Sequence, residues 1–290
     1  MTDTTAEPRD DGLETARRMA EEEEGMGRRP RGWTKWLIPV IAVCWSLFQL
    51  SIASWLIIDS TFVRAIHLAF ALLIVYLNYP MFKRPKFGVD YLSATDRIPA
   101  LDMAISVVAA ISALYIALDY EGLIYRIGAP ITRDLVMGSA LVILLLEASR
   151  RVIGPALPVI AIAFCVYAFM GPYMPDLIAF KGVSLDRFMG QMTMSTEGIY
   201  GIPLDVSATI VFLFVLFGAM LDKAGAGQYF IRLALSLLGG FKGGPAKAAI
   251  MGSGLTGLVS GSSIANIVTT GTFTIPLMKK VGYPPTKAAA

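Results

Sequence analysis

The chain has 290 residues, 55% of them hydrophobic and only 16% charged, with a formal net charge of +3. Soluble domains carry about 25% charged residues, so the composition is that of an integral membrane protein. Nucleic-acid binding is excluded as well, because the basic residues punctuate apolar runs instead of gathering on one face.

Residues 1–32 are polar, with an acidic run from Glu21 to Glu24 and then Arg28, Arg29 and Arg31. Nothing there can bury a core, so a disordered or loosely helical cytoplasmic tail is expected. The first apolar run begins near Trp36, too late and too long for a cleavable signal sequence, and reads as a retained membrane helix. Hydrophobic spans are expected at 36–58, 62–79, 98–118, 135–148, 153–174 and 206–221, with a polar connection from Pro175 to Pro203. Trp33 and Trp36 suit an aromatic belt. With the N-terminus inside, ten Lys and Arg (Arg28, Arg29, Arg31, Lys35, Lys83, Arg84, Lys86, Arg97, Arg150, Arg151) face the cytoplasm. Only five (Arg64, Arg126, Arg133, Lys181, Arg187) face outward, which favours this orientation. Glu147, Asp119, Glu121 and Asp205 fall near span ends, where water solvates a carboxylate at little cost. Arg64 and His67, just inside the second span, read as snorkelling to the interface.

Beyond Leu221 the pattern breaks up. Phe230–Leu238 is a short apolar piece, followed by Gly239, Gly240, Phe241, Lys242, Gly243, Gly244 and Pro245, a strong breaker cluster. Two further pieces, 246–259 and 264–278, flank Ser260–Ser263, and each is short of a full crossing. A re-entrant helical hairpin with its tip near Ser260–Ser263 accounts for this best. The expected fold class is therefore all-α: a polytopic transmembrane helical protein with a re-entrant hairpin near the C-terminus. Tyr283, Pro284 and Pro285 mark a turn, and Lys287–Ala290 read as the start of another helix, as if the chain ended inside a domain.

The hairpin carries the chemistry. Nine of the twelve residues from Gly252 to Ser263 are Gly, Ser or Thr. Lipid satisfies neither free backbone groups nor hydroxyls, so such a segment must be buried in protein or line a wet cavity. On a helix Ser253, Thr256, Ser260 and Ser263 share one face, with Gly254, Gly257 and Gly261 alongside. Their oxygens, with carbonyls freed at a helix break and the side chain of Asn266, suit a hard cation such as Na⁺. The positive ends of half-helices suit a carboxylate. Thr269, Thr270 and Thr272 extend the polar strip. Gly257 and Gly261 equally form a GxxxG pair that lets helices pack closely, and from spacing alone packing and ion binding both stay open. Serine hydrolysis would need Lys247 or Lys279 as base, and the Lys-Ser/Thr of a phosphate-binding loop is missing. Cys44 and Cys165 sit in apolar runs, against a disulfide framework. The single histidine, His67, removes HExxH-type zinc chemistry.

Leu204–Gly227 and Gly239–Ala290, with the Gly-rich loop, SGSSIAN, the Ile-Pro-Leu-Met segment and the closing Gly-Tyr, resemble the large membrane subunit of the tripartite ATP-independent periplasmic (TRAP) transporters. The four spans before Arg150 correspond by position to the small four-helix subunit, here fused to the large one. Such fusion resembles the branch served by TAXI-type solute-binding proteins. The resemblance divides the chain into a tail (1–32), a small four-helix scaffold domain (33–150) and the N-terminal part of the transport subunit (151–290). It implies that a second, inverted hairpin is missing and the chain is cut short. It further implies import of organic acid anions across the bacterial inner membrane, handed over by a periplasmic binding protein, driven by a Na⁺ gradient through an elevator-like movement, with no other cofactor. Ser260, Gly261, Ser262, Ser263 and Asn266 would form the Na⁺ site and hairpin tip, while Asn266, Thr270 and Thr272 would approach the substrate. Gly271, Ile275 and Pro276 would shape the second arm. Two other classes fit the residues less well. A structural scaffold subunit has no need to bury so many hydroxyls, and a membrane enzyme would need a catalytic cluster at membrane depth.

Overall fold

The longest apolar runs become the longest helices. In the computed structural model, which describes residues 27–82, 90–126, 128–258 and 263–289, a 3₁₀ turn at Gly32–Trp36 leads into α1 (Leu37–Ser54). Then come α2 (Ser60–Asn78), α3 (Ala100–Leu118), α4 (Tyr120–Tyr125), α5 (Thr132–Val152), α6 (Ala156–Met170) and α7 (Leu185–Thr193). α8 (Ile202–Val206) runs through a π-turn (Ser207–Val211) into α9 (Phe212–Lys223). The remainder is α10 (Ala226–Leu238), α11 (Gly244–Gly257), α12 (Ser263–Lys280) and α13 (Pro285–Ala289). Among the described residues, five segments are long and apolar enough to cross a membrane: Gly32–Ser54, Ser60–Asn78, Ala100–Leu118, Ala156–Tyr173 and Ile202–Leu221. This is an all-helical, multi-pass membrane protein.

Residues 27–212 form one compact unit and residues 213–289 belong to another. In the first, α2 and α3 are the central pair. Their contact is made by Ala65, Ala69, Ala109, Ala110 and Ala113, all buried. Small residues let membrane helices approach closely where dispersion must replace the hydrophobic drive. Leu68, Leu72, Tyr76, Leu141 and Tyr200 fill the space around them. Tyr76 donates its hydroxyl to Leu144 O and Tyr200 to Ala113 O, both at 2.7 Å, so each buried phenol keeps a partner. Asp59 caps α2 by accepting from the Thr61 amide at 2.8 Å, a bond that holds its carboxyl below the usual range. α1 and α6 turn most of their apolar side chains outward, as peripheral membrane helices do.

The ends of this unit are tied by charge. At the end where α2 finishes, Arg28 and Arg151 share Asp102, and all three side chains are 0% exposed. Arg28 also donates to Tyr76 O at 3.0 Å and Ala94 O at 3.1 Å, while its amide donates to Asn78 O at 2.7 Å. Gly27–Arg31 therefore lie pinned to the bundle, unlike the free tail expected through residue 32. Glu147 pairs with Arg150 and Arg151. At the other end Arg126 bridges Asp119 and Asp134, and Asp134 accepts from the Ile131 amide at 3.0 Å to cap α5. Asp119 and Glu147 thus have protein partners where solvation was expected. Arg64 does not snorkel: it donates to Asp205 and to Tyr200 O, both at 2.8 Å. His67 is buried.

In the second unit, glycines at positive φ open two helices: Gly225 (+87°) before α10 and Gly243 (+74°) before α11. Ile231 and Ala234 of α10 are buried against α11, where a Cβ added at Gly252 would stand 3.3 Å from Ile231 Cγ1.

Candidate functional site

α11 is a poor helix on propensity, since Gly252, Gly254 and Gly257 each cost about 1 kcal/mol relative to alanine. It persists because packing against α10 and α12 rewards small residues. Within the 246–278 stretch the described residues form two helices, α11 ending at Gly257 and α12 beginning at Ser263. At 14 residues α11 is about 21 Å long, short of the roughly 30 Å hydrocarbon core.

The two arms meet at Asn266. Its Nδ2 donates to Ser253 O at 3.1 Å and to Ser253 Oγ at 3.2 Å, stitching α12 to α11. A Cβ on Gly257 would stand 3.3 Å from that nitrogen, so glycine there is what admits the amide. With Nδ2 committed, Asn266 Oδ1 is left buried without a hydrogen-bond donor among the described residues. A buried acceptor of this kind is costly unless something positive or protic reaches it. Farther along α12, Thr270 Oγ1 donates to Asn266 O at 2.7 Å and Thr274 Oγ1 to Thr270 O at 2.9 Å. Those hydroxyls spend their protons on their own helix, and their lone pairs remain free to accept. Beside them an open cavity of about 480 Å³ is lined by Ser253, Thr270, Gly271, Thr274, Met278 and Lys287, among others.

Of the residues singled out in the sequence, Asn266 and Thr270 are thus brought together with Ser253, and Gly271 and Ile275 line the same cavity. Thr256 faces elsewhere, its hydroxyl returned to Gly252 O at 2.9 Å. Ser263 opens α12. Ser260, Gly261 and Ser262 lie outside the described residues, as does the side chain of Thr272. Thr274 and Lys287 were missed. The spacing of Asn266, Thr270 and Thr274, four residues apart on one helix face, is the signal that would have found the first.

Residues 140–290, just over half of the chain, match the tripartite ATP-independent periplasmic transporter family, DctM component. The chain belongs to that DctM family. It is a family of transporters, and the match begins inside α5, so α11 and α12 fall wholly within it. Among similar proteins, the uncharacterized protein y4mL of Sinorhizobium fredii is 30% identical over 135 residues, 46% of this chain and 32% of its own length. A putative TRAP transporter large permease protein of Haemophilus influenzae is 31% identical over 71 residues, 24% of this chain and 17% of its own length. The uncharacterized protein YgiK of Salmonella typhimurium is 34% identical over 77 residues, 27% and 18% of the two lengths. The chain thus spans about a third of the first relative and under a fifth of the other two. No solved structure matches.

Proposed function

We propose that this DctM-family chain is a permease component of a secondary active, Na⁺-coupled importer of organic acid anions in the bacterial inner membrane. A periplasmic solute-binding protein of the TAXI type hands over the anion, and the N-terminus lies in the cytoplasm. Residues 33–150 act as scaffold. Residues 151–290 supply the first part of the transport subunit, whose α11–α12 hairpin is re-entrant and moves by an elevator mechanism. One observation carries the reading: among the described residues, Asn266 Oδ1 is buried and unpartnered where two short, hydroxyl-rich helices meet. A neutral oxygen held bare at that point suits a monovalent cation, because several uncharged oxygens replace its hydration without bringing a carboxylate to membrane depth. Ser260, Gly261, Ser262 and Ser263 complete the cation site from the connection between the arms, and Thr270 and Thr272 face the substrate.

The test is uptake in proteoliposomes by the full-length gene product with its binding protein, titrated with Na⁺. Asn266→Ala and Ser262→Ala should each weaken Na⁺-driven uptake by roughly tenfold or more, the value of one hydrogen-bonding group facing a charge, with membrane insertion intact. Uptake by Asn266→Ala that follows the unmodified protein across the titration would remove the cation site from this hairpin.

A further inference from the structure

The π-turn at Ser207–Val211 lies within the apolar stretch Ile202–Leu221, where no water is at hand for a bare carbonyl. In a continuous α-helix the Phe212 amide would donate four residues back, to Ala208 O. Here it donates five back, to Ser207 O. Ala208 O has therefore lost its helical donor. A different helix supplies the replacement, for Gln49 Nε2 on α1 donates to Ala208 O at 2.7 Å.

Gln49 is itself held in place. Its Nε2 lies 2.6 Å from His67 Nδ1 on α2, and Trp45 Nε1 donates to the same ring nitrogen at 3.3 Å. An indole nitrogen can only donate, so Nδ1 is the acceptor and the imidazole proton sits on Nε2, 3.3 Å from Ser207 Oγ. The rings of Trp45 and His67 also press on Phe212, with centroids 4.7 and 5.8 Å away. The amide is turned so fully toward Ala208 and His67 that its own Oε1 is left buried and without a partner among the described residues. Side chains from α1 and α2 thus converge on a turn that departs from α geometry.

We propose that Gln49, oriented by His67, is a register latch: it keeps Ser207–Val211 in the π form, and loss of its N–H lets the turn rewind into continuous α-helix with Phe212 donating to Ala208 O. A π-turn and an α-turn of the same residues are two discrete states, and whichever satisfies Ala208 O is favoured in lipid. Rewinding changes the helix phase by one residue, about 100°. Arg64 grips Tyr200 O and Asp205 on the upstream side, so the downstream residues of α9 are the ones that turn. Gln49 and His67 are positioning residues here, and the inference holds whether or not the hairpin binds Na⁺.

A nitroxide scan tests this in the full chain with Cys44→Ser and Cys165→Ser, placing one label at a time along residues 213–221 and reading oxygen accessibility in membranes. Gln49→Met keeps the reach of the side chain and removes its N–H, and the accessibility wave should move by about one residue. A wave that keeps its phase overturns the latch. Deleting Ile210 removes the extra residue of the turn, which should leave the downstream phase as in the unmodified protein and make it indifferent to Gln49→Met. A further phase change on adding Gln49→Met to the deletion also overturns the latch. Should Gln49→Met alone fail to insert, the deletion must restore its insertion, and failure to do so counts equally against the proposal.

Discussion

Asp102 shows what a single residue holds in this bundle. It is the one carboxylate shared by Arg28 and Arg151, and none of the three side chains reaches solvent. Replacing it by asparagine keeps the shape and removes the charge, leaving two buried guanidiniums with, among the described residues, Glu147 alone, itself a quarter exposed, to offset Arg151. Breaking a buried pair from one side costs about 3–5 kcal/mol. Asp102→Asn should therefore lower stability by that order in detergent-solubilised protein, read by thermal or SDS unfolding followed through tryptophan fluorescence. An unchanged midpoint would mean that the arginines are neutralised from elsewhere. Little of this was legible in the sequence. Arg64 and His67 looked like snorkelling residues because partners of each are far along the chain: Arg64 and Asp205 are 141 residues apart, His67 and Ser207 140. Periodicity places a side chain on a face, but it cannot say which distant helix fills the space opposite. Asn266 was legible, since a polar amide in a Gly/Ser/Thr run has few bland explanations, whereas its bond to Ser253 was not.

Among the elements, hydropathy and breakers located the helices well. The pieces expected at 246–259 and 264–278 appear as Gly244–Gly257 and Ser263–Lys280, with Pro245 opening the first. The π-turn was invisible, for it depends on a donor from α1 and leaves no mark in local composition. α7 was also hidden, inside a connection read only as polar. Its contact with α5 is made where Gly138 meets Thr193, a Cβ there falling 2.5 Å from Thr193 Oγ1. The packing of α10 on α11 gives a sharper test. Gly252 has Ile231 Cγ1 at 3.3 Å from where a Cβ would sit, while Gly254 has nothing within 4 Å. Gly252→Leu should destabilise the pair by about 1–3 kcal/mol through overpacking, and hydrogen exchange across Ala226–Leu238 should rise. Gly254→Leu, which meets open space and improves helix propensity, should leave that exchange unchanged. Equal effects at the two positions would show that helix propensity, not the Ile231 contact, sets the stability of α11.

At the scale of the whole chain, the question with the most consequence is whether α5 crosses the membrane, because every later segment changes sides with it. Its 21 residues reach about 31 Å, enough for the hydrocarbon core, yet Arg133, Asp134, Glu147, Arg150 and Arg151 crowd its ends, and it is less apolar than the five clear spans. The contacts with α3 decide the matter. Asp134, in the first turn of α5, is hydrogen-bonded by Tyr115 near the end of α3, and Arg151, in the last turn, pairs with Asp102 near its start. The two helices run antiparallel with both pairs of ends matched. If α3, an apolar span of 19 residues, crosses the bilayer, α5 covers the same thickness, and its charges enter as pairs inside the bundle. If the basic excess marks the cytoplasmic side, as proposed, alkaline phosphatase fused after Gly128 or Gly182 should be active in the periplasm. Fused after Asp96, Gly154 or Gly225 it should be inactive, while green fluorescent protein at those three positions should fluoresce. Matching phosphatase activity after Gly128 and after Gly154 would mean that α5 stays on one side, and the sides assigned to every segment beyond it would then be reversed.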